Sequence, residues 1–245
     1  MSGSITVRTC HSLEDFNACV ALERDIWGEQ DLEVEPSTLF VVAAYTGGQV
    51  LGAYDEHSLV GFTLALAASR NGAPYLHSHM TGVHANYRDR GVGRMLKLLQ
   101  RDEALSRDIR LIEWTFDPLE LRNAHFNLNR LGAICRRYLP NLYGVTTSPL
   151  HRGLATDRLV AEWYLDSPRV MAAVNNEPLP SPACASIEIA PSVSDWNASD
   201  LPRVQAIQAA IRDQFLQGFQ KGYAAVAVSK TVAGSSYHLA PWSDF

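Results

Sequence analysis

The chain has 245 residues, 47% of them hydrophobic and 19% charged, with a formal net charge of −5 at pH 7. That balance is globular and allows a sizeable core, in one large domain or one domain with a smaller companion. It argues against a general nucleic-acid binder, which needs a basic face, and no run approaches the roughly 18 apolar residues of a membrane span.

Ile5 to Cys10 alternates apolar and polar side chains as a strand does. Ser12-x-x-Asp15 is a capping-box-like start for a helix. Its apolar residues Leu13, Phe16, Val20 and Trp27 recur near helical spacing, and Gly28 ends it. Pro36 suits the first turn of a second helix through Tyr45, closed by Gly47-Gly48. Leu39 to Tyr45 is apolar nearly all round, so a buried strand is the alternative there. Gln49 to Tyr54 and Leu59 to Ala67 read as an antiparallel hairpin joined by Asp55-Glu56-His57-Ser58. After a turn at Asn71-Gly72-Ala73-Pro74, Tyr75 to Val83 is the next strand, with His77, His79, Thr81 and Val83 on one face.

The stretch that follows carries the most distinctive chemistry. Two glycines and three arginines lie within the seven residues Arg88-Asp89-Arg90-Gly91-Val92-Gly93-Arg94, at a strand-to-helix turn. The first turn of a helix has N–H groups without internal partners and a partial positive charge. Glycine lets a diphosphate approach the backbone, and arginine adds fork-shaped donors. A Walker-type loop would need Lys-Ser/Thr where Arg94-Met95 stands, and a dinucleotide fingerprint would need glycine at Leu96. The helix so opened is amphipathic, with Val92, Leu96 and Leu99 on its apolar side and Arg94, Lys97 and Arg101 elsewhere.

Arg110 to Phe116 is a strand with Leu111, Glu113 and Thr115 on one face, broken by Asp117-Pro118. A helix from about Leu119 to Leu131 carries Leu121, Ala124, Leu128 and Leu131 on one side, and Gly132 caps it. Ala133 to Tyr138 and Leu159 to Leu165 are further strands, separated by a turn at Pro140-Asn141. Ser167 to Pro182, rich in Pro, Asn and Ala, reads as a linker or crossing segment. Then come a short strand at Ile187-Glu188-Ile189, a helix capped by Asp200 with Pro202 in its first turn, and a hairpin from Tyr223-Val228 and Ser236-Leu239. The helix has a strong apolar stripe of Val204, Ile207, Ile211, Phe215 and Phe219, read as core.

Arg88-x-x-Gly91-x-Gly93, after a strand and before an amphipathic helix, resembles the pyrophosphate loop of the GNAT (Gcn5-related N-acetyltransferase) superfamily. The element order over roughly residues 4 to 166 is similar too. The resemblance implies an α/β (α+β) fold: a mixed, mostly antiparallel sheet flanked by helices. It divides the chain into an acyl-CoA-binding catalytic domain (1–166), a linker (167–185) and a packed C-terminal strand-helix-hairpin extension (186–245). It implies acetyl-CoA or another acyl-CoA as co-substrate, held by the Thr81-Gly82-Val83 backbone and by Arg88, Asp89, Arg90, Gly91, Val92, Gly93 and Arg94.

The family's second motif departs from its pattern. Anchored on Gly132, Leu128 stands where the family has the tyrosine that protonates the departing thiolate. Leu121 stands at the asparagine position, and Asn123, two residues out of register, is carried as a cofactor contact. Tyr138 or Tyr143 is the substitute acid, unless the thiolate leaves unaided. Glu113 and His79 are the candidate general bases by strand position, His77 a weaker one. The four cysteines (Cys10, Cys19, Cys135, Cys184) have no metal spacing and, with no secretory signal, read as reduced thiols of a cytoplasmic protein; no metal is expected.

The expected function is transfer of an acetyl or related acyl group, succinyl among them, to a primary amine in a ternary complex. A small molecule such as an amino acid is the first choice of acceptor, and no nucleic-acid or membrane partner is expected. The alternatives are a protein N-terminal or lysine acetyltransferase and a non-catalytic CoA-binding domain. A homodimer through the C-terminal strands is compatible with their exposed edges.

Overall fold

A computed structural model of the chain describes residues 4–28, 34–144, 153–180, 183–190, 198–231 and 234–242. The fold is mixed α/β with mostly antiparallel strands, and the chain divides into two units, Met1–Glu113 and Trp114–Phe245. The division falls inside a strand.

The first unit contains β1 (Ile5–Thr9), α1 (Leu13–Trp27), α2 (Ser37–Tyr45), β2 (Gln49–Asp55), β3 (Ser58–Arg70), β4 (Ala73–Val83), α3 (Val92–Ser106) and the start of β5 (Leu111–Phe116). β1 to β4 pair antiparallel in chain order. β4 then runs parallel to β5 at Leu76–Ile112 and His77–Glu113, and continues to Val83. α1 and α2 cover one face through Phe16, Cys19, Phe40, Val50, Phe62 and Leu64. α3 covers the other through Val92 and Leu96 against Leu51, Ala53 and Val60. Residues 39–45 are helical, not strand: an apolar segment is buried this way when it packs on a sheet face.

β4 carries a bulge. Met80 pairs with Leu64 and Ser78 with Ala65, so His79 is an inserted residue. The sequence reading that put His77, His79, Thr81 and Val83 on one face is corrected here. Thr81 bonds Thr63 and Val83 packs in the α3-side core, while Met80 joins the α1–α2 core and His79 reaches Glu35 beside α2. One extra residue moves everything beyond it to the opposite face.

The entry to α1 is fixed by Asp15. Its Oδ2 accepts from the main-chain N–H of His11 (3.0 Å) and Ser12 (3.2 Å), and Ser12 Oγ accepts from Asp15 N (3.1 Å). Asp15 Oδ1 also takes Arg8 Nη2 at 2.7 Å and Tyr54 O–H at 2.9 Å. The capping box thus ties β1, α1 and β2 together.

The second unit contains the end of β5, α4 (Leu121–Ala124) continuing as π-helical turns at His125–Arg130, β6 (Ile134–Leu139) and β7 (Arg158–Tyr164). α5 (Pro168–Val174), β8 (Ala185–Ile189), α6 (Leu201–Gln220), β9 (Tyr223–Thr231) and β10 (Gly234–Pro241) follow. Its strands neighbour one another in the order β7-β6-β9-β10-β8. Phe215 of α6 is its centre, with Tyr138 and Tyr237 at ring distances of 5.7 and 5.1 Å.

Three sequence readings are corrected in this unit. The helix expected from Leu119 to Leu131 is α for only one turn and then widens, with Leu131 N donating to Phe126 O. The presumed linker holds α5, whose Ser167 Oγ accepts from Val170 N at 3.3 Å and whose Arg169 is buried. Asp200 begins α6 without a side-chain cap. Residues 181–182 of the presumed linker, and 232–233 within the final hairpin, lie outside the described residues.

The Asp15 node generates a stability prediction. Its contacts with Arg8, the two main-chain N–H groups and Tyr54 hold the carboxyl well below the usual range, so its contribution is present above an unfolded pKa near 4 and lost as pH falls. Ser12→Ala is expected to cost about 1 kcal/mol in urea unfolding at neutral pH. Asp15→Asn is expected to destabilise at pH 7, with the difference from wild type shrinking as the pH falls towards 3.

Candidate functional site

The site is built in the first unit, at the C-terminal end of β4 and the start of α3. His84 Nδ1 accepts from Asn86 N at 3.2 Å and its Nε2 lies 3.1 Å from Asp25, which starts a tight turn at Ala85–Tyr87. Tyr87 O–H donates to Asp55 at 2.8 Å, and Arg88 Nε donates back to Val83 O at 3.2 Å. The chain then reverses through Asp89 (φ 62°) and Gly91 (φ 81°), backbone that glycine adopts at least cost. Gly91, at the N-cap of α3, has no side chain to cap the helix. Arg88, Asp89, Arg90 and Gly91 are exposed, Gly93 and Arg94 half-buried, Val92 buried in the core. The turn thus presents main-chain donors and arginines to an anion.

Behind it, Gly82 is glycine because α1 lies against it: a Cβ would come within 2.7 Å of Ile26 Cδ1. Thr81 is half-buried, with its hydroxyl 2.8 Å from that of Thr63.

The bulged His79 faces the α1–α2 side. Its Nε2 lies 2.8 Å from Glu35 Oε1, and both side chains are partly exposed. Glu35 is itself anchored, because its main-chain N–H donates to the buried Glu23 Oε1 at 3.0 Å. With Nε2–H donating to the carboxylate, Nδ1 carries the ring's lone pair. Sequence reasoning missed Glu35: it lies in a polar stretch that no periodicity links to residue 79.

The other catalytic candidates are placed differently. Glu113 is 2% exposed, and both of its oxygens accept from Arg70 at 2.6 Å. A carboxylate so forked must break two charge-assisted bonds before it can take a proton. Tyr138, in the second unit, is buried and donates to Asp157 Oδ2 at 2.8 Å; burial first, and then Asp157, push its pKa up, making it a weaker acid. Arg212 holds the same carboxylate at 2.8 and 3.1 Å. Tyr143 is exposed, with its hydroxyl 2.9 Å from that of Thr115. Asn123 is exposed on α4. Among the described residues no group of His, Cys, Asp and Glu is placed to hold a metal ion.

α3 holds a further surprise. Lys97 and Arg101, assigned to its polar side by the sequence, are 3% and 9% exposed. Lys97 Nζ donates to Ser78 Oγ at 2.8 Å and Gln100 Oε1 at 2.9 Å, and Gln100 Nε2 reaches both Ser78 Oγ and Thr63 Oγ1 at 3.4 Å. Burial pushes the Lys97 pKa down to about 7.

No family model matches the sequence, and no curated protein matches it. Solved structures do. An N-acetyltransferase from Staphylococcus aureus Mu50 aligns with a TM-score of 0.55 over 67% of this chain and 100% of its own, at 15% identity. A putative GNAT-family acetyltransferase from Desulfovibrio desulfuricans aligns at 0.55 over 66% and 99%, at 12% identity. The chain has the GNAT fold. A third structure, Arabidopsis thaliana NAA60 in complex with acetyl-CoA, aligns at 0.53 over 66% and 99%, at 17% identity. At these identities the likeness establishes architecture, and the chemistry must come from the residues present.

Lys97 gives a test of this geometry that needs no ligand. Its pKa is lower folded than unfolded, so between about 7 and about 10.5 the unfolded chain binds the extra proton and stability rises with pH. Lys97→Met is therefore expected to raise the melting temperature at pH 6, with the gain narrowing towards pH 10. A gain constant across that range would mean that the charge is not what the burial opposes.

Proposed function

We propose that the chain is a CoA-dependent N-acyltransferase that moves an acetyl or related acyl group to the primary amine of a small molecule. The observation that carries the reading is the run of β4 from its parallel pairs with β5, Leu76–Ile112 and His77–Glu113, on to Val83 and into a turn whose Gly91 opens α3 without a side-chain cap. Extended main chain beyond His77 suits the amides of a pantetheine arm, and the α3 start suits a diphosphate. Arg88, Arg90 and Arg94 add positive charge there.

The chemistry asked of the protein is modest. Holding amine and thioester together supplies much of the barrier reduction, up to roughly 7–11 kcal/mol in well-oriented systems. His79 Nδ1 takes the amine proton as the nitrogen–carbon bond forms, and Glu35 fixes the ring's tautomer and orientation. A partly exposed carboxylate beside the histidine also favours a cationic acceptor over an anionic one. Glu113, forked onto Arg70, is left as structural support for the end of the β4–β5 pairing.

Thermal-shift and calorimetric titrations with CoA, acetyl-CoA and succinyl-CoA test the first half. A ligand at about a hundred times its Kd is expected to stabilise by roughly 2.7 kcal/mol. Gly93→Glu, which puts a carboxylate where phosphate should sit, is expected to abolish the shift. No response from the folded wild type to any of the three would sink the reading, and the preferred thioester names the donor. For the second half, His79→Ala is expected to lower kcat by roughly 10²–10⁴, and Glu35→Gln by about tenfold, both with the KM for acyl-CoA unchanged. A wild-type rate in His79→Ala would remove the histidine from the mechanism.

A further inference from the structure

We propose that Ser78 delivers the proton to the departing thiolate, with Lys97 behind it as the proton source. The inference rests on the acyl-CoA reading. It starts from what the chain lacks, because the tyrosines put forward as substitutes for the residue replaced by Leu128 have their hydroxyls bonded elsewhere, Tyr138 to Asp157 and Tyr143 to Thr115.

Three observations place Ser78 in the role. It directly follows His77, which pairs in parallel with Glu113 of β5. It is adjacent in sequence to the bulged His79 but points to the opposite side, towards Lys97 and Gln100 of α3. A base on one side and a hydroxyl on the other therefore flank any group bound to the main chain at this point. Finally, its oxygen accepts from both Lys97 Nζ at 2.8 Å and Gln100 Nε2 at 3.4 Å. A hydroxyl has two acceptor positions and one donor. With both acceptor positions engaged by nitrogen donors, the O–H proton of this buried serine is left for a third partner.

The transfer balances. The acceptor nitrogen bonds to the acyl carbon and gives its proton to His79. The carbon–sulfur bond breaks with its electron pair on sulfur. Ser78 Oγ passes its proton to the sulfur and takes one from Lys97 Nζ, leaving the lysine neutral and His79 protonated; product release opens the site, His79 gives its proton to solvent and Lys97 regains one. A lysine whose pKa burial has pushed down to about 7 gives up a proton far more readily than an exposed one. The groups in its network are Ser78 on β4, Gln100 on its own helix and Thr63 on β3. The charged groups that follow on α3 are Glu103, paired with Arg107 and bonded to Gln49 of β2, whose amide also donates to Gln100 O, and Arg101, paired with Asp102. Glu113 on β5 is occupied by Arg70.

The decisive experiment reads the thiol of bound CoA. Ultraviolet thiolate absorbance is titrated against pH for free CoA and for CoA bound to wild type, Lys97→Met and Ser78→Ala, with binding followed by calorimetry. In the wild type the bound thiol is expected to ionise at least one pH unit below free CoA, a tenfold shift. Both variants are expected to return it towards the free value while still binding CoA, and to lose about a hundredfold in kcat with little change in KM. Equal thiol ionisation in wild type and Lys97→Met, or unchanged kcat in both variants, overturns the proposal and leaves the cluster structural. Failure of the wild type to bind CoA overturns the acyl-CoA reading itself, so the two failures are distinguishable.

Discussion

The bulge at His79 is the constraint on which the site depends. Before it, β4 presents Ser78 to α3; after it, Thr81 and Val83 occupy that side, and His79 and Met80 lie towards α1 and α2. Without the extra residue a strand of this length would keep one alternation throughout, and histidine and serine could not bracket one point of main chain with Thr81 still bonded to Thr63. A bulge also bends its strand and sharpens the local twist.

The second theme is a polar layer inside an apolar frame. On the α3 side of the sheet Val92 and Leu96 pack on Leu51, Ala53 and Val60, and from the next residue on, Lys97 and Gln100 meet Ser78 and Thr63 instead. Such a layer opposes folding unless its donors and acceptors are matched, and a buried ammonium is costly even then. Burial accordingly pushes the Lys97 pKa down to about 7, so that under the proton-transfer proposal its ammonium is a better acid than an exposed lysine.

Much of the fold was legible in the sequence. The Ser12–Asp15 box, the Gln49–Ala67 hairpin and the Arg88–Gly93 turn each combine a periodic pattern with a local stop or start signal, and each appears where the pattern puts it. What was not legible depended on tertiary contact. The bulge is a one-residue slip that leaves every local propensity unchanged. Lys97 and Arg101 carry charges that a helical wheel assigns to solvent, and only the sheet beneath reveals them as buried. Glu35 meets His79 through two stretches that share no pattern. α5 was hidden because a composition of Pro, Asn and Ala suits a linker as well as a short capped helix.

The second unit has its own organisation, with a consequence for how the chain comes to be folded. Tyr237 O–H donates to Pro118 O at 2.7 Å, Val228 N donates to Asn129 Oδ1 at 2.9 Å, and Cys135 of β6 pairs with Ala225 of β9. Arg169 binds the carbonyls of Leu128, Pro180 and Val226. Its early segments are therefore completed by its last ones. On a ribosome the two units meet different fates. The residues that build the first unit have all been made once Glu113 has been added, while synthesis continues. The second must wait for β10, so a nascent chain stalled before residue 223 would display β6 with its future neighbour absent, an open edge of the kind chaperones recognise.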